Sequence, residues 1–385
     1  MSKLPDRSGA RRREPITDTQ LLLTITICIF VGMYIMAMLI WGGGFKKPQM
    51  LFDILNDNAY LIIISCGLTI VMITGSIDIS VGGVTALVAM VGVMILNGSN
   101  HLFDGLIALL GLAESWRIVF ALIMSLLIGL AFGAVQGFLI AHLEIQPFII
   151  TLAGMFFARG MITICSVDPQ KAPQELMDIL QKRIEIPWLG SVNKKGVLIP
   201  AKMEIGVVIA AVIVILVFIL LRKRKLGRGF YAVGGNRQSA LMLGVNVRHT
   251  RFMAHLICGL LSGIAGFVFM MHTGAGNATN ATAAEMNAIA SSIIGGTLLT
   301  GGVGNVIGTF FGVLTLSTIK SIVTTSGLRD PWWQSITTGA MLSFFILLQS
   351  LVLMRKNRSK RKAKQKAAAK AAEEKPSGAG GGGTA

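Results

Sequence analysis

Residues 62–91 read IIISCGLTIVMITGSIDISVGGVTALVAMV: two apolar arms joined by a short break that carries a single carboxylate, Asp78, flanked by Gly75 and by Gly82 and Gly83. The first arm belongs to an uncharged stretch from Asn58 to Ile77 and the second to one from Ile79 to Phe103. Each approaches the ~20 apolar residues that a helix needs to cross a bilayer. A break between two such arms exposes backbone N–H and C=O groups at membrane depth, which is tolerated only where protein or a wet cavity covers them.

The rest of the chain fits the same solvent. Hydrophobic residues make up 53% of it and charged residues 14%, against about 25% charged in a soluble domain. Further uncharged stretches run from Thr19 to Phe45, Ile118 to Leu143, Phe252 to Ala284, Met286 to Ile319 and Trp332 to Met354, and shorter ones from Ile145 to Ala158 and Ile205 to Leu221. The sequence describes a multi-pass membrane protein.

Basic residues fix its orientation, because they accumulate on the cytoplasmic side. Residues 1–20 carry +2, residues 222–251 carry +8 and residues 355–385 carry +8, while the whole chain carries +17. All three segments are therefore expected to be cytoplasmic, which requires an even number of crossings on each side of the middle one. Six and four satisfy this, at residues 20–41, 52–74, 82–98, 118–141, 147–166 and 204–221, then 252–272, 284–299, 304–324 and 333–354. The eighth is a candidate half-helix that re-enters.

Three regions follow from this pattern: a basic cytoplasmic tail at 1–20, a membrane domain at 21–354, and a basic low-complexity cytoplasmic tail at 355–385. Within the domain, residues 167–203 form the longest polar interruption and are expected outside, and residues 222–251 form a cytoplasmic loop. The C-terminal tail reads as a stop-transfer element and anchor for anionic lipid. The first hydrophobic stretch is too long for a cleavable signal peptide.

Several classes of chemistry lack their signatures. There is no H-E-x-x-H, G-x-G-D or G-x-S-x-G, and no G-x-x-x-x-G-K-[ST] loop to cradle ATP. Cys28, Cys66, Cys165 and Cys258 form no C-x-x-C pair and have no histidine at ligand spacing. They read as packing residues, and no metal site or bound cofactor is expected. If nucleotide drives the protein, another subunit must bind it.

A second break lies in the other half. The stretch EMNAIASSIIGGTLLTGGVGNVIGTFFGVL, from Glu285, clusters Gly295, Gly296, Gly301, Gly302 and Gly304 between apolar arms. Corresponding interruptions in two halves are the pattern of transporters built from repeats. Asp78 then has two readings: an ionisable group lining a pathway, or a cap on the free N–H groups of the helix starting near Val81. Glu285 poses the same choice, as a pathway residue or as a first-turn acid complementing a helix dipole.

The loop at 222–251 contains NRQSALMLGV, which begins with a capping-type Asn236 and ends at Gly244 and reads as a short helix between two spans. Positive-inside retention alone explains the charge. An exposed helix carrying Ala240, Leu241 and Leu243 is more than retention requires, and suits a partner surface.

Four motifs together carry a resemblance. TGSIDISVGG resembles a GGIDLSVG signature, and IQPFIITLAGMFFARG, YAVGGNRQSALMLGVNV and EMNAIASSIIGGTLLTGGVGNVIGT resemble further segments, in order over roughly residues 50–350, of the membrane permeases of bacterial sugar ATP-binding-cassette importers. Ribose, xylose and galactose permeases belong to this group, and the wording is most similar to galactofuranose permeases. The resemblance implies an all-α, ten-span type II importer fold with broken helices in the bacterial inner membrane. It also implies a second permease copy or homologous permease, a cytoplasmic ATPase that uses the ATP, and an external sugar-binding protein, with no nucleic acid among the partners.

By the same resemblance, Asn58, Thr74, Ser76, Asp78, Ser80, Glu285 and Asn287 would face the pathway or hold its walls. Gly234, Gly235, Asn236, Ala240, Leu243 and Gly244 would belong to the segment that couples ATPase motion to the bundle. Ser76 stands where many members have glycine, and Asn287 where aspartate is usual. An ion-coupled secondary transporter would accommodate the same broken helices, and a non-transporting membrane scaffold is the third alternative.

Overall fold

A computed structural model describes residues 18–98, 114–192, 198–330 and 332–348, with positions 350, 351 and 354. Both basic tails, and His101, lie outside the described residues apart from the first turn of the first helix. Thirteen helices are described: α1 (Asp18–Trp41), α2 (Pro48–Ile73), α3 (Val81–Asn97), α4 (Glu114–His142), α5 (Pro147–Cys165), α6 (Gln174–Leu180), α7 (Ile205–Lys223), α8 (Lys225–Gly235), α9 (Arg237–Met242), α10 (Val247–Thr273), α11 (Ala284–Ile294), α12 (Val306–Thr325) and α13 (Trp332–Leu348).

Seven of these, α1, α2, α4, α5, α7, α10 and α12, are long and apolar enough to cross a membrane. Helices α3 and α13 are apolar but shorter. The eighth segment, expected at 284–299 as a crossing or a half-helix, is a short helix: α11 has 11 residues and ends in a turn at Gly295 and Gly296. The glycines that marked the second break stop this helix before it can span. The described residues thus establish a multi-pass helical membrane protein with seven full-length spans, rather than ten.

The core is built on α2 and α3. Residues 61–73 and 81–96 are buried without interruption, as expected of helices that are apolar on every face. Helix α10 packs along α4, α2 and α3, and its seam with α4 is made of small residues. Ser125, Gly129, Gly133 and Gly137 recur every fourth position on α4 and meet the α10 backbone at Gly263, Gly259, His255 and Phe252. Such stripes let helix backbones approach where lipid supplies no hydrophobic drive. A second seam joins α11 to α12, with Ser291 and Gly295 against Gly312 and Gly308.

Hydroxyls stitch the same layers. Thr69 of α2 hydrogen-bonds Thr309 of α12 at 2.7 Å and Ser292 of α11 at 3.2 Å, and Thr26 of α1 donates to the Ile294 carbonyl at 2.7 Å.

The polar interruption at 167–203 folds as well. Strand β1 (Gln170–Lys171) pairs antiparallel with β4 (Ala275–Gly276), α6 buries Leu176, Met177 and Leu180, and β2 (Arg183–Val192) pairs with β3 (Leu198–Glu204) in a hairpin whose register shifts between Ile186 and Gly190. The hairpin base is fixed to α2, where Gln49 exchanges two hydrogen bonds with the Lys202 backbone and Asn56 accepts from the Glu204 N–H at 2.9 Å.

Candidate functional site

The two breaks and the loop between α7 and α10 meet at one point. Helix α2 ends at Ile73, Thr74 caps it by donating to the Val71 carbonyl at 2.7 Å, and Gly75 turns the chain away. The Ile73 carbonyl accepts from the N–H of Gly302, at 2.8 Å, in the second break. Gly301 and Gly302 have φ of 83° and 76°, a region in which a side chain costs roughly 1–2 kcal/mol. Gly301 lies on Gly75, Gly302 lies on Gly235, and a Cβ at Gly234 would collide with the Ile73 carbonyl. Tyr231 of α8 donates to the Gly304 carbonyl at 2.9 Å.

Helix α9 hangs from this junction. The Asn236 side chain accepts from the Ser239 N–H at 2.8 Å as its N-cap, and Gly244 turns the chain toward α10, which Asn246 caps in the same way through His249. The expected short helix is therefore present, but one residue of its anticipated surface is misplaced. Ala240 is 1% exposed, packed against Val233 and Val247, whereas Leu241, Met242 and Leu243 are 55%, 84% and 80% exposed. A six-residue helix ending in a turn points Ala240 back onto α8 and α10 and sends the next three side chains out.

Clefts of about 660 Å³ and about 490 Å³ flank α9 and share Arg237 and Leu241. Arg237 makes a half-exposed salt bridge at 2.6 Å to Glu144, which occupies the left-handed region, φ 56°, in the turn between α4 and α5.

Above the junction, the first break is sealed in protein. Asp78 is 2% exposed; its Oδ1 accepts from the Ser80 N–H at 2.9 Å and from the Ser80 hydroxyl at 2.7 Å. The carboxylate thus ties down the residue just before α3 rather than the N–H groups inside the helix. Ser80 Oγ also lies 3.1 Å from the Gln136 side-chain amide. The atom facing it is Gln136 Oε1, and the amide nitrogen lies against Gly154, which leaves room for it. His255, fully buried on α10, places Nδ1 3.9 Å from Asp78 Oδ2, and neither ring nitrogen has a hydrogen-bond partner.

The other expected positions are distributed differently. Ser76 is buried with its hydroxyl unpaired. Asn58 is half-buried and donates to the Ile54 carbonyl of its own helix at 2.8 Å. Glu285, 8% exposed in the first turn of α11, rests Oε2 on Gly82 near the start of α3. Asn287 is half-buried and accepts from Lys320 Nζ at 2.9 Å.

Gln136, His255, Arg159, Glu144 and Lys320 were not singled out in the sequence. Their available signal was that each is a polar residue in or beside an apolar span, remote from the glycine clusters. Arg159 of α5 donates to the carbonyls of Ala278, Asn280 and Ala281, at 3.0, 2.7 and 3.1 Å. It thereby holds a turn in which Ala281 and Ala283 have positive φ.

No metal-ligating cluster occurs among the described residues. A membrane bundle whose two helix breaks converge on a short helix with an apolar exposed tip has the form of a transport permease. The family model of the branched-chain amino acid transport system / permease component matches residues 50–346, and the chain belongs to this family.

It is 38% identical over 328 residues to the inner membrane ABC transporter permease protein YjfF of Escherichia coli, covering 85% of this chain and 91% of that one. Identity is 32% to the fructose import permease protein FruG of Bifidobacterium longum (87% and 92% covered) and 31% to the ribose import permease protein RbsC of Bacillus subtilis (83% and 91%). No solved structure matches the chain.

Proposed function

We propose that the chain is the membrane permease subunit of an ABC-type sugar importer. It is not an enzyme; it works beside a second permease copy or homologous permease, an external sugar-binding protein and a cytoplasmic ATPase that hydrolyses the ATP. The observation that carries this reading is the junction itself. Helix α9 presents Leu241, Met242 and Leu243 to solvent while its root touches both helix breaks, Gly234 at the Ile73 carbonyl that ends α2 and Gly234 and Gly235 at Gly302. A partner that grips α9 would move both breaks at once.

The sugar assignment draws support from the named relatives that import fructose and ribose across nearly their full length. In this reading both termini and residues 222–251 are cytoplasmic, residues 167–203 are external, and α3, α11 and α13 complete a ten-segment type II importer bundle with α11 as a re-entrant half-helix. Asp78 holds the entry to α3 and Glu285 complements its dipole, so both are structural. Reconstitution tests the function: the permease with its ATPase and binding protein should import sugar only when ATP is supplied. Import driven by an ion gradient without the ATPase would select the secondary-transporter alternative.

A further inference from the structure

Helix α3 serves as a depth gauge. Gly276 lies on Met90, and Glu285 lies on Gly82. At 1.5 Å per residue these contacts are about 10 Å and about 22 Å along the axis from Asn97, the end of α3 that meets Gln170. The chain from 277 to 283 therefore runs about 12 Å along α3 without being helical, yet Ala278, Thr279, Thr282 and Ala283 are exposed. Irregular backbone at that depth cannot face lipid; it must line water or be covered by protein.

Lys320 stands at the same level. The seam of Gly308 on Gly295 and Gly312 on Ser291 runs α12 antiparallel to α11 and brings Lys320 to the start of α11, where it reaches Asn287. It is half-buried and pairs with no carboxylate among the described residues. A lone ammonium inside a span is costly unless it faces an aqueous cavity or a ligand. The sealed groups of the first break, Ser76, Asp78 and Ser80, offer a solute no access.

We propose that Ala278, Thr279, Thr282, Ala283 and Met286, with Asn287 and Lys320 opposite, form the wet wall of the solute pathway, and that Lys320 and Asn287 contact vicinal hydroxyls of the passing sugar. This rests on the sugar-importer reading. The ammonium bonded to Asn287 keeps two N–H donors and the amide NH₂ keeps two more, side by side, which suits adjacent oxygens on one ring. Met286, 49% exposed and next to Asn287 in the same turn, supplies an apolar surface for the ring's C–H face.

The test uses the assembled transporter in proteoliposomes, with radiolabelled ribose, xylose, fructose and galactose as probes. Lys320→Met should lower uptake about tenfold, the worth of one charge-assisted contact, with ATPase and binding protein still bound, and Lys320→Arg should retain most of it. Thr282→Cys should react with a membrane-impermeant thiosulfonate, and sugar in transit should slow that reaction. Normal uptake by Lys320→Met, or a Thr282→Cys that is unreactive because the second permease covers it, overturns the proposal. A wild-type transporter that imports none of the four sugars under ATP, while reconstituting with its partners, counts against the sugar reading instead.

Discussion

The N–H of Gly302 donates to the carbonyl of Ile73 at 2.8 Å, across 229 positions of sequence. That bond ties the end of α2 to the second break, and Gly234 lies directly over it. The contact is made entirely of backbone because no side chain fits. Gly234→Ala should therefore be severe: overpacking of this kind costs ~1–3 kcal/mol, and the strain falls where three segments converge. Gly235→Ala should be mild, since nothing lies within 4 Å of a Cβ there. Thermal unfolding of the purified permease, with uptake alongside, checks the pair; equal effects would show that the junction is not tightly packed.

The partner surface on α9 makes a second prediction. Met242→Glu or Leu243→Glu should leave the permease folded, because both side chains are at least 80% exposed. Each should weaken ATPase binding by about tenfold or more, since an unpaired charge desolvated in an interface is costly. Ala240→Glu should instead destabilise α9 itself, forcing a carboxylate between Val233 and Val247. Co-purification of the ATPase separates the two outcomes, and undiminished co-purification with Met242→Glu and Leu243→Glu would place the ATPase elsewhere.

That contrast shows what the sequence could reveal. Asn236 and Gly244 announced a short helix because capping and termination are local chemistry, decided within a few residues. Which face of so short a helix is covered depends on α8 and α10, and no local pattern reports it. The same holds at the first break: Gly75, Asp78 and Gly82 marked it plainly, but His255 lies 177 positions away on a helix whose adjacency is set by the Gly129, Gly133 and Gly137 stripe. Hydropathy alone ran the uncharged stretch from Met286 on to Ile319, and it was the glycine cluster from Gly295 that marked a break near the end of α11 at Ile294, though not which helix seams those glycines would enter.

Asp78 supplies a third prediction. Asp78→Asn keeps an oxygen for the Ser80 N–H and should retain assembly and most transport. Asp78→Leu leaves that buried N–H without an acceptor, at a cost of about 1–3 kcal/mol, and should lower the melting temperature and the yield of folded permease. Normal assembly with transport abolished in Asp78→Asn would reassign the carboxylate to the pathway.

A fourth prediction fixes the orientation of the whole bundle. Trp188 is 83% exposed in the irregular part of the β2–β3 hairpin, next to the register shift that follows Ile186. The hairpin base is pinned to the start of α2 at Gln49 and Asn56, and α7 enters the membrane directly after Glu204. Trp188 therefore sits near the end of α2 opposite Ile73, while Met242 lies beside the Ile73 end with the basic loop. If basic residues hold residues 222–251 in the cytoplasm, a cysteine replacing Trp188, in a variant lacking the native cysteines, should react with an impermeant maleimide added to intact cells. A cysteine replacing Met242 should react only after the membrane is opened. The reverse pattern would invert every crossing and, with it, the side from which α9 can be gripped.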